Sequence, residues 1–368
     1  MFTRFFARVA ATVASSVLSV STVHAQWSVT NLHPGGAGVS RGRAAAGVQQ
    51  AGSAEFAGLS HAGLWTGTAA SWVDLHPAGA RESFANGASS THQVGYINTG
   101  NAVRASLWTG TVESWVDLHP AIATTSLASA TSGSQQVGEI WIGGDRRAAL
   151  WTGTASSYVD LHPAGATDSF ANATSGTQQV GTAEIGGVYR ASVWGGTAVS
   201  RIDLHPVGAV QSFGYAISGA RQGGSVDLGA GARAALWTGN AASWIDLHPA
   251  VASVSRVWDM DDVIQVGEST IGGIGRAAIW SGSSASFQDL SVVLPAWFST
   301  SRANGVSSDG INLYVTGFGF NTNTNRAEAL LWTRPIPTPG AAVGLGLGAL
   351  MASRRRRAIV APLSHSGT

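Results

Sequence analysis

The sequence predicts an all-β fold: a seven-bladed β-propeller built from four-stranded repeats of 43 residues. The first observation is a tryptophan series with a constant step, formed by Trp65, Trp108, Trp151, Trp194, Trp237 and Trp280. A leucine series from Leu32 to Leu290 and a glycine series from Gly52 to Gly267 keep the same step. A fixed period of this length is typical of stacked supersecondary units that bury a shared core.

One repeat, residues 169–206, shows the internal layout of a unit. Four short extended segments are predicted, at 169–173, 178–183, 190–194 and 201–204. Glycines between these segments indicate hairpins and turns, and no stretch of useful length has a helical period. Four short antiparallel strands in a unit of this size match one propeller blade.

The two ends of the array predict how the ring closes. The tryptophan series continues to Trp332 after a last unit enlarged by nine residues, whereas the Leu-His-Pro series begins before the first tryptophan. The chain thus starts with an isolated outer strand, residues 27–34, and ends with a unit that lacks one, residues 301–332. Pairing these halves removes the open sheet edges. The alternative is an open β-solenoid, which needs atypical caps at both ends.

Residues 1–25 have the features of a secretory signal peptide. Arg4 and Arg8 precede an apolar stretch at 9–20, and small residues before Gln26 suit cleavage after Ala25. The alternative is a buried N-terminal helix. Export of the mature chain is therefore expected. Because the sequence has no cysteine, disulfides, thiol chemistry and cysteine-ligated metals are excluded.

The charge of the repeat region argues against a nucleic-acid partner. Residues 26–333 contain 14 arginines, no lysine and 20 acidic residues, a net charge of −6. A mildly acidic body with scattered arginines lacks the basic patch that binds phosphate backbones.

Polar residues that recur in every repeat have two interpretations. As functional groups, rings of Arg, Asp and His would bind an anion or a metal. As scaffold residues, the tryptophans pack one blade against the next, and Asp and His form hydrogen bonds with the backbone amides of the turns. Arg and Asp then offset each other's charge between strands. We favour scaffold, because outer-strand copies do not converge on the channel and no histidine has a metal-ligand partner at close spacing. This structural set comprises Trp332 with the six tryptophans above, and Asp74, Asp117, Asp160, Asp203, Asp246 and Asp289.

Functional residues are expected where the repeats differ. The segment 258–262 replaces a small polar turn with Trp258, Asp259, Asp261 and Asp262 around a methionine. Three carboxylates in four residues suit Ca²⁺, but the alternation and glycine of calcium loops are missing. We therefore predict no cofactor and a solvated acidic turn, with Ca²⁺ as the alternative.

The enlarged last unit is the second departure. It carries Trp297, Phe298, Phe318 and Phe320 near Asn and Thr side chains. These aromatics could hold a sugar ring or cover the closing blade, and we favour the cover. No Gly-x-Ser-x-Gly, His-Glu-x-x-His or lysine-containing phosphate loop occurs, so no catalytic residue is predicted. A catalytic pair of carboxylates, as in glycosidases, remains an alternative that the sequence does not exclude.

The repeats resemble the HAF-type extracellular repeats. The resemblance rests on His61-Ala62-Gly63-Leu64-Trp65, Gln93-Val94-Gly95, Val73-Asp74-Leu75 and residues 304–310. It covers nearly the whole repeat region, with His-Pro in place of the glycine that usually follows Asp-Leu. It implies a secreted bacterial repeat protein. It gives no catalytic residues that could be assigned to positions in this sequence.

The C-terminus resembles a PEP-CTERM sorting signal, spanning residues 334–357. A proline-rich motif at 335–339, a short apolar helix at 340–352 and the arginines 354–357 carry the resemblance; the glutamate between the prolines is missing. It implies a sorting protease of the exosortase type as partner. Thirteen apolar residues are short for a span of about 20, so we expect a transient membrane helix, followed by a disordered tail at 358–368.

These observations predict an exported protein of the cell envelope, cell surface or extracellular space. We expect a non-enzymatic binding or structural module with a glycan or protein ligand. The alternative is an extracellular enzyme acting on polysaccharide, a glycoside hydrolase or a lyase, with carboxylates at the channel mouth.

Overall fold

Seven four-stranded antiparallel sheets form the fold, which confirms the predicted seven-bladed β-propeller. The computed structural model describes residues 26–336. Each sheet is one blade, and its strands follow one another outward from the central channel. Blade 1 contains β2 (Ser40–Ala46), β3 (Gln49–Phe56), β4 (Leu59–Trp65) and β5 (Val73–Asp74).

Blades 2 to 4 repeat this arrangement with closely similar strand lengths. Blade 2 contains β6 (Glu82–Ala88), β7 (Gln93–Asn98), β8 (Val103–Trp108) and β9 (Val116–Asp117). Blade 3 contains β10 (Thr125–Thr131), β11 (Gln136–Ile142), β12 (Asp145–Trp151) and β13 (Val159–Asp160). Blade 4 contains β14 (Ala166–Thr174), β15 (Gln179–Ile185), β16 (Val188–Trp194) and β17 (Ile202–Asp203).

Blades 5 to 7 complete the ring. Blade 5 contains β18 (Gln211–Ser218), β19 (Arg221–Asp227), β20 (Ala232–Trp237) and β21 (Ile245–Asp246). Blade 6 contains β22 (Val254–Asp261), β23 (Ile264–Ile271), β24 (Ile274–Trp280) and β25 (Gln288–Asp289). Blade 7 contains β26 (Phe298–Ser308), β27 (Asn312–Asn321), β28 (Arg326–Pro335) and the N-terminal β1 (Ser28–Asn31).

The N-terminal strand closes the ring as predicted. β1 pairs antiparallel with β28, with Ser28 opposite Thr333 and Asn31 opposite Leu330. The Leu32 N–H then donates to the Ala329 carbonyl at 2.8 Å. β28 itself continues to Pro335, two residues past the predicted propeller boundary at 333. Both termini of the described chain therefore contribute to one blade.

The core lies between the blades. All seven repeat tryptophans, Trp332 included, are at most 1% exposed. Each packs against the preceding blade: Trp151 of blade 3 contacts Leu107 and Leu118, and Trp65 of blade 1 contacts Leu331 of blade 7. The apolar series that has the 43-residue step is thus the inter-blade core.

Short 3-10 helices join the third strand to the fourth in blades 1 to 6, and a seventh follows β25. They are Ala69–Ser71, Val112–Ser114, Ala155–Ser157, Ala198–Ser200, Ala241–Ser243, Ser284–Ser286 and Leu290–Val293. Between residues 26 and 336, no helix has the length and hydropathy needed to cross a bilayer. The predicted signal peptide (1–25), the C-terminal apolar helix with its arginines and the tail lie outside the described residues.

Candidate functional site

The inner strands share one irregularity that decides what lines the central channel. In each of the seven blades the register between the first and second strands shifts by one residue, a β-bulge. The extra residues are Arg43, Asn86, Ser129, Asn172, Tyr215, Trp258 and Asn304, and all seven line the channel. The fold thus presents one side chain per blade at the same height.

The glycine series makes these bulges sterically tolerable. A Cβ placed on Gly138 of β11 would lie 2.0 Å from the Leu127 carbonyl oxygen of β10, so only glycine fits opposite the bulge. Bulge asparagines also bind neighbouring blades together through their side-chain amides. Asn86 Nδ2 donates to Ala128 O at 3.0 Å, Asn172 Nδ2 to Gly214 O at 2.7 Å, and Asn304 Nδ2 to Gly42 O at 2.8 Å.

The channel opens widely at the end where the inner strands begin, which we call the start-side mouth. A cavity of about 610 Å³ lies there. Besides the seven bulge residues, its lining comprises Arg41, Tyr96, Leu127, Arg302 and Phe318. The cavity has the size of a small-molecule site, and its lining combines arginine, aromatic and amide groups.

Three arginines at this mouth stack on aromatic rings of adjacent blades. The guanidinium carbon of Arg302 lies 3.9 Å from the ring centre of Trp258. Arg41 lies over Phe318 at 5.4 Å, and Arg43 lies over Phe84 at 5.7 Å. Stacking of this kind is attractive and fixes the planes of the guanidinium groups.

Positive charge predominates at the start-side mouth. Glu268 pairs with Arg256 at 3.0 Å and lies 3.8 Å from Arg302. Arg41 and Arg43 form no ion pair with an acidic residue in the part of the chain that the structure describes. Burial, together with the charge of Arg41, lowers the pKa of Arg43.

Aromatic rings continue from this mouth along blades 4 to 6. Tyr189 stacks with Phe213 at 5.5 Å between ring centres, and Phe213 with Tyr215 at 6.0 Å. Tyr215 in turn contacts Trp258 at 4.5 Å. The row ends beneath Arg302, and of its four rings Tyr215 and Trp258 line the mouth.

The opposite end of the channel, the end-side mouth, is acidic. A second cavity of about 380 Å³ includes Asp259 and Asp261 in its lining. Burial raises the pKa of Asp259 to about 7, although the Val306 N–H donates to its carboxylate at 2.9 Å. Burial also raises the pKa of Asp261. The channel is therefore polarised, with Arg41 and Arg302 at one mouth and the two aspartates at the other, while Arg43 lines both cavities.

The predicted acidic turn at 258–262 is wrong in its structure. Trp258 to Asp261 belong to β22, and only Asp262 lies in the hairpin turn, with a φ of 50°. The bulge turns Trp258 into the channel, while Asp259 binds blade 7. Within residues 26–336, no group of three or more His, Cys, Asp or Glu side chains is placed to hold a metal ion.

The predicted aromatics of the last unit separate into two environments. Phe318 lines the start-side mouth beneath Arg41. Phe298 packs against the core between blades 6 and 7, and Phe320 is partly buried further along β27. Trp297 is 45% exposed, and its carbonyl accepts the Thr322 N–H at 2.8 Å. Of this set, only Phe318 meets Trp258 in one cavity.

The repeated Arg and Asp side chains meet on the outer strands, away from the channel. Arg104 Nε donates to Asp117 at 2.8 Å and Arg233 Nε to Asp246 at 2.9 Å. The same pairing joins Arg147 to Asp160, Arg190 to Asp203 and Arg276 to Asp289, while His61 takes the place of arginine beside Asp74. The other Oδ of each aspartate accepts a hydrogen bond from the backbone N–H two residues on; the His205 N–H, for example, donates to Asp203 Oδ1 at 2.9 Å.

The repeated histidines connect consecutive blades. In His205, Nε2 faces the Ala209 carbonyl at 3.1 Å and Nδ1 faces Ser212 Oγ at 2.9 Å. Because a carbonyl only accepts, Nε2 carries the proton and Ser212 donates to Nδ1. Ser212 Oγ also accepts the Ala191 N–H of the preceding blade at 2.9 Å. The arrangement requires a neutral imidazole, and burial lowers the pKa of His205.

Sequence reasoning missed Arg41, Arg43, Arg302, Tyr96 and Tyr215. A signal was present: positions 43, 86, 129, 172, 215 and 258 keep the 43-residue step, yet their side chains differ. A position that varies within a strict repeat is one at which the scaffold does not need the same residue type in every blade. Its place at a bulge facing the axis was not readable from the sequence.

Comparisons with known proteins identify the fold alone. No protein-family model matches the sequence, and no curated protein does. Among solved structures, the β-propeller domain of the Trilobed protease from Pyrococcus furiosus aligns with a TM-score of 0.52 and 10% identity, over 80% of this chain and 94% of that chain.

Two further structures align at a similar level. They are an oligogalacturonate lyase in complex with manganese (TM-score 0.50, 9% identity, 85% of this chain and 98% of that chain) and the Pyrococcus horikoshii acylaminoacyl peptidase (TM-score 0.50, 8% identity, 86% and 55%). At such identities the likeness extends to architecture only. The chain is a seven-bladed β-propeller.

Proposed function

We propose that this protein is an exported, non-enzymatic binding module that holds its ligand in the start-side mouth of the central channel. One observation carries the proposal: seven bulge positions share a geometry but hold five different residue types. Scaffold positions repeat because every blade needs them, whereas these side chains vary between blades and converge on the central channel, where they line both cavities. Convergence of aromatic and polar groups in a concave site is typical of ligand binding.

The location proposed for this module is the cell envelope or the extracellular space. The N-terminal signal features and the PEP-CTERM-like C-terminus support it, and a sorting protease would cleave near residues 335–339. Intact-mass measurement on protein from the native envelope tests this part. A mass that still includes residues 364–368 would contradict processing by such a protease.

A polysaccharide-acting enzyme is the second candidate, favoured by the end-side mouth. Asp259, with a pKa raised to about 7, would be partly protonated at neutral pH and could donate a proton. Asp261 lies nearby in the same cavity lining. Incubation of the purified protein with pooled polysaccharides, with Asp259→Asn as the control, tests it. Product formation that the substitution abolishes would replace the binding proposal.

The binding proposal is tested with the purified protein on a glycan array and a peptide array. We expect a ligand whose binding is lost in Trp258→Ala and kept in Trp141→Ala, since Trp141 is 38% exposed on β11 outside the cavity lining. Melting curves verify that both variants fold. Binding that survives Trp258→Ala would place the site elsewhere, and no binding to any probe would leave a structural role.

A further inference from the structure

The start-side mouth contains more guanidinium groups than carboxylates. Arg41 and Arg43 on β2 and Arg302 on β26 line one cavity, and Glu268 lies close to Arg302 alone among the three. No carboxylate belongs to the lining of this cavity between residues 26 and 336. An anion placed there would be attracted by all three arginines, which are pre-positioned by stacking.

Arg43 shows the strongest need for a partner. It occupies the bulge position of blade 1, and its Nε is buried with no hydrogen-bond partner among the described residues. An unsatisfied buried donor carries a desolvation cost. A carboxylate in the cavity accepts two parallel N–H bonds from one guanidinium, and this pairing would offset the positive charge of Arg43. Arg41, on the same strand, points to the same cavity and is exposed.

The remaining lining suits a polyhydroxylated ring. Trp258, Tyr215 and Phe318 offer flat apolar surfaces. Asn86, Ser129 and Asn172 on the facing side of the channel offer amide and hydroxyl groups, which pair with hydroxyl donors and acceptors. An apolar ring face, hydroxyl edges and a carboxylate occur together in a uronic acid.

We infer that the start-side mouth binds an acidic saccharide, with its carboxylate on Arg43 and the flanking arginines and with sugar faces on Trp258 and Phe318. This inference rests on the proposed function and adds the chemical class of the ligand. The cavity of about 610 Å³ admits a short oligosaccharide rather than a single small ion. The net charge of −6 on residues 26–333 disfavours long polyanions outside the mouth.

Calorimetric titration of the purified protein tests the inference with matched probes. The probes are uronate trisaccharides based on glucuronate and galacturonate, their methyl esters, neutral trisaccharides of the same linkage, and inorganic phosphate. We expect binding of at least one uronate trisaccharide, no measurable binding of its ester, and no comparable binding of phosphate. The ester keeps the sugar and removes the charge, so it isolates the contribution of the arginines.

Variants locate the site. Arg43→Gln should weaken uronate binding about 10- to 100-fold, the effect of losing hydrogen bonds to a charged group. Arg43→Lys should restore part of it, because the charge returns without the bidentate geometry. Arg221→Gln removes the same charge at the start of β19, outside both channel linings, and should leave affinity unchanged.

The outcomes distinguish failure of the acidic-saccharide inference from failure of the channel-binding proposal on which it rests. Equal binding of acid and ester, phosphate binding as tight as uronate, or an unchanged affinity in Arg43→Gln would each overturn the acidic-saccharide inference. If the arrays identify a neutral or peptide ligand that depends on Trp258, the inference fails and the channel-binding proposal stands. If no probe binds in either experiment, both fail.

Discussion

Residue identity matters most at the bulge position, because there a side chain leaves the sheet ladder and faces the channel. Arg43, Tyr215 and Trp258 occupy equivalent places in blades 1, 5 and 6. Neighbouring scaffold positions of the same strands hardly vary. Ser212 of β18 and Ser255 of β22, for example, both accept a backbone N–H from the preceding blade. One strand therefore contains a structural position that repeats in every blade and, a few residues away, a position that varies between blades.

We predict that Asp259→Asn stabilises the protein at neutral pH. Burial raises the pKa of Asp259 to about 7 from 3.8, so the folded state retains a proton that the unfolded state releases between these values. Stability therefore falls as pH rises through this window, and the substitution removes that loss, about 1–3 kcal/mol at pH 8. Urea unfolding between pH 4 and 8 measures it.

Asp309→Asn is the matched control with the opposite sign. The Asn312 and Ile311 N–H groups lower the pKa of the exposed Asp309, so its charge favours folding above pH 3.8. This variant should lose stability slightly at neutral pH. A gain in Asp309→Asn, or no gain in Asp259→Asn, would contradict the assignment of Asp259 as a buried carboxyl.

Trp151→Ala should destabilise the fold by about 3–5 kcal/mol, because it opens a cavity between blades 2 and 3. Trp151 is 0% exposed, whereas Trp141 of the same blade is 38% exposed. The same substitution at Trp141 should change the free energy of unfolding much less. Equal effects in urea titrations would show that the repeat tryptophans do not form the inter-blade core.

At the scale of the elements, the pairing of β1 with β28 depends on one buried carboxylate. Glu328 of β28 is 2% exposed. It accepts hydrogen bonds from Asn31 of β1 at 2.8 Å, Asn321 at 2.9 Å, Thr324 at 2.8 Å and Arg326 at 2.9 Å. Burial opposes its ionisation, but these donors prevail and lower the pKa of Glu328 to about 2. Its charge thus helps to hold the strand that closes the ring.

Glu328→Gln should therefore destabilise the protein by about 3–5 kcal/mol at neutral pH, since it removes the charge that pairs with Arg326 and turns one of the two accepting oxygens into an N–H donor. The folded pKa lies below the unfolded value of 4.5. The stabilisation is thus present above pH 4.5 and is lost as pH falls toward 2.

The stability difference between wild type and variant should shrink over this same range. Glu113→Gln, at an exposed glutamate, controls for the loss of a charge. Equal stability of Glu328→Gln and the wild type in thermal melts would contradict the role of Glu328 in closure.

At the scale of the whole molecule, six loop histidines join consecutive blades, and five of them govern the response to acid. The six are His33, His76, His119, His162, His205 and His248, and each Nδ1 contacts a serine hydroxyl of the next inner strand. Burial lowers the pKa of five of them, His33, His76, His119, His205 and His248. Protonation of these five histidines would break the hydrogen bond that the serine hydroxyl donates to each Nδ1.

Stability should therefore fall as pH drops through 6.5, because the unfolded chain then binds protons that the folded loops exclude. Each of the five histidines with a lowered pKa contributes up to about 1.4 kcal/mol per pH unit. Their combined slope exceeds the opposite slope of the single Asp259. Unfolding free energies between pH 8 and 5 measure this slope. His205→Gln should lower the slope by up to about 1.4 kcal/mol per pH unit, which corresponds to one proton. A flat profile would contradict the neutral-imidazole geometry.

The sequence by itself determined the number of blades, the strand order within each and the closure by the N-terminal strand. These follow from Trp, Leu and Gly positions that every blade needs for packing, so they recur with a measurable step. Only the tertiary structure decided which side chains meet in the channel. Asn304 and Gly42, 262 residues apart, are joined by ring closure, and this closure brings Arg43 beside Arg302. The repeated glycines lie opposite the bulges, but only the backbone shows that a bulge is there and that it turns Arg43 inward.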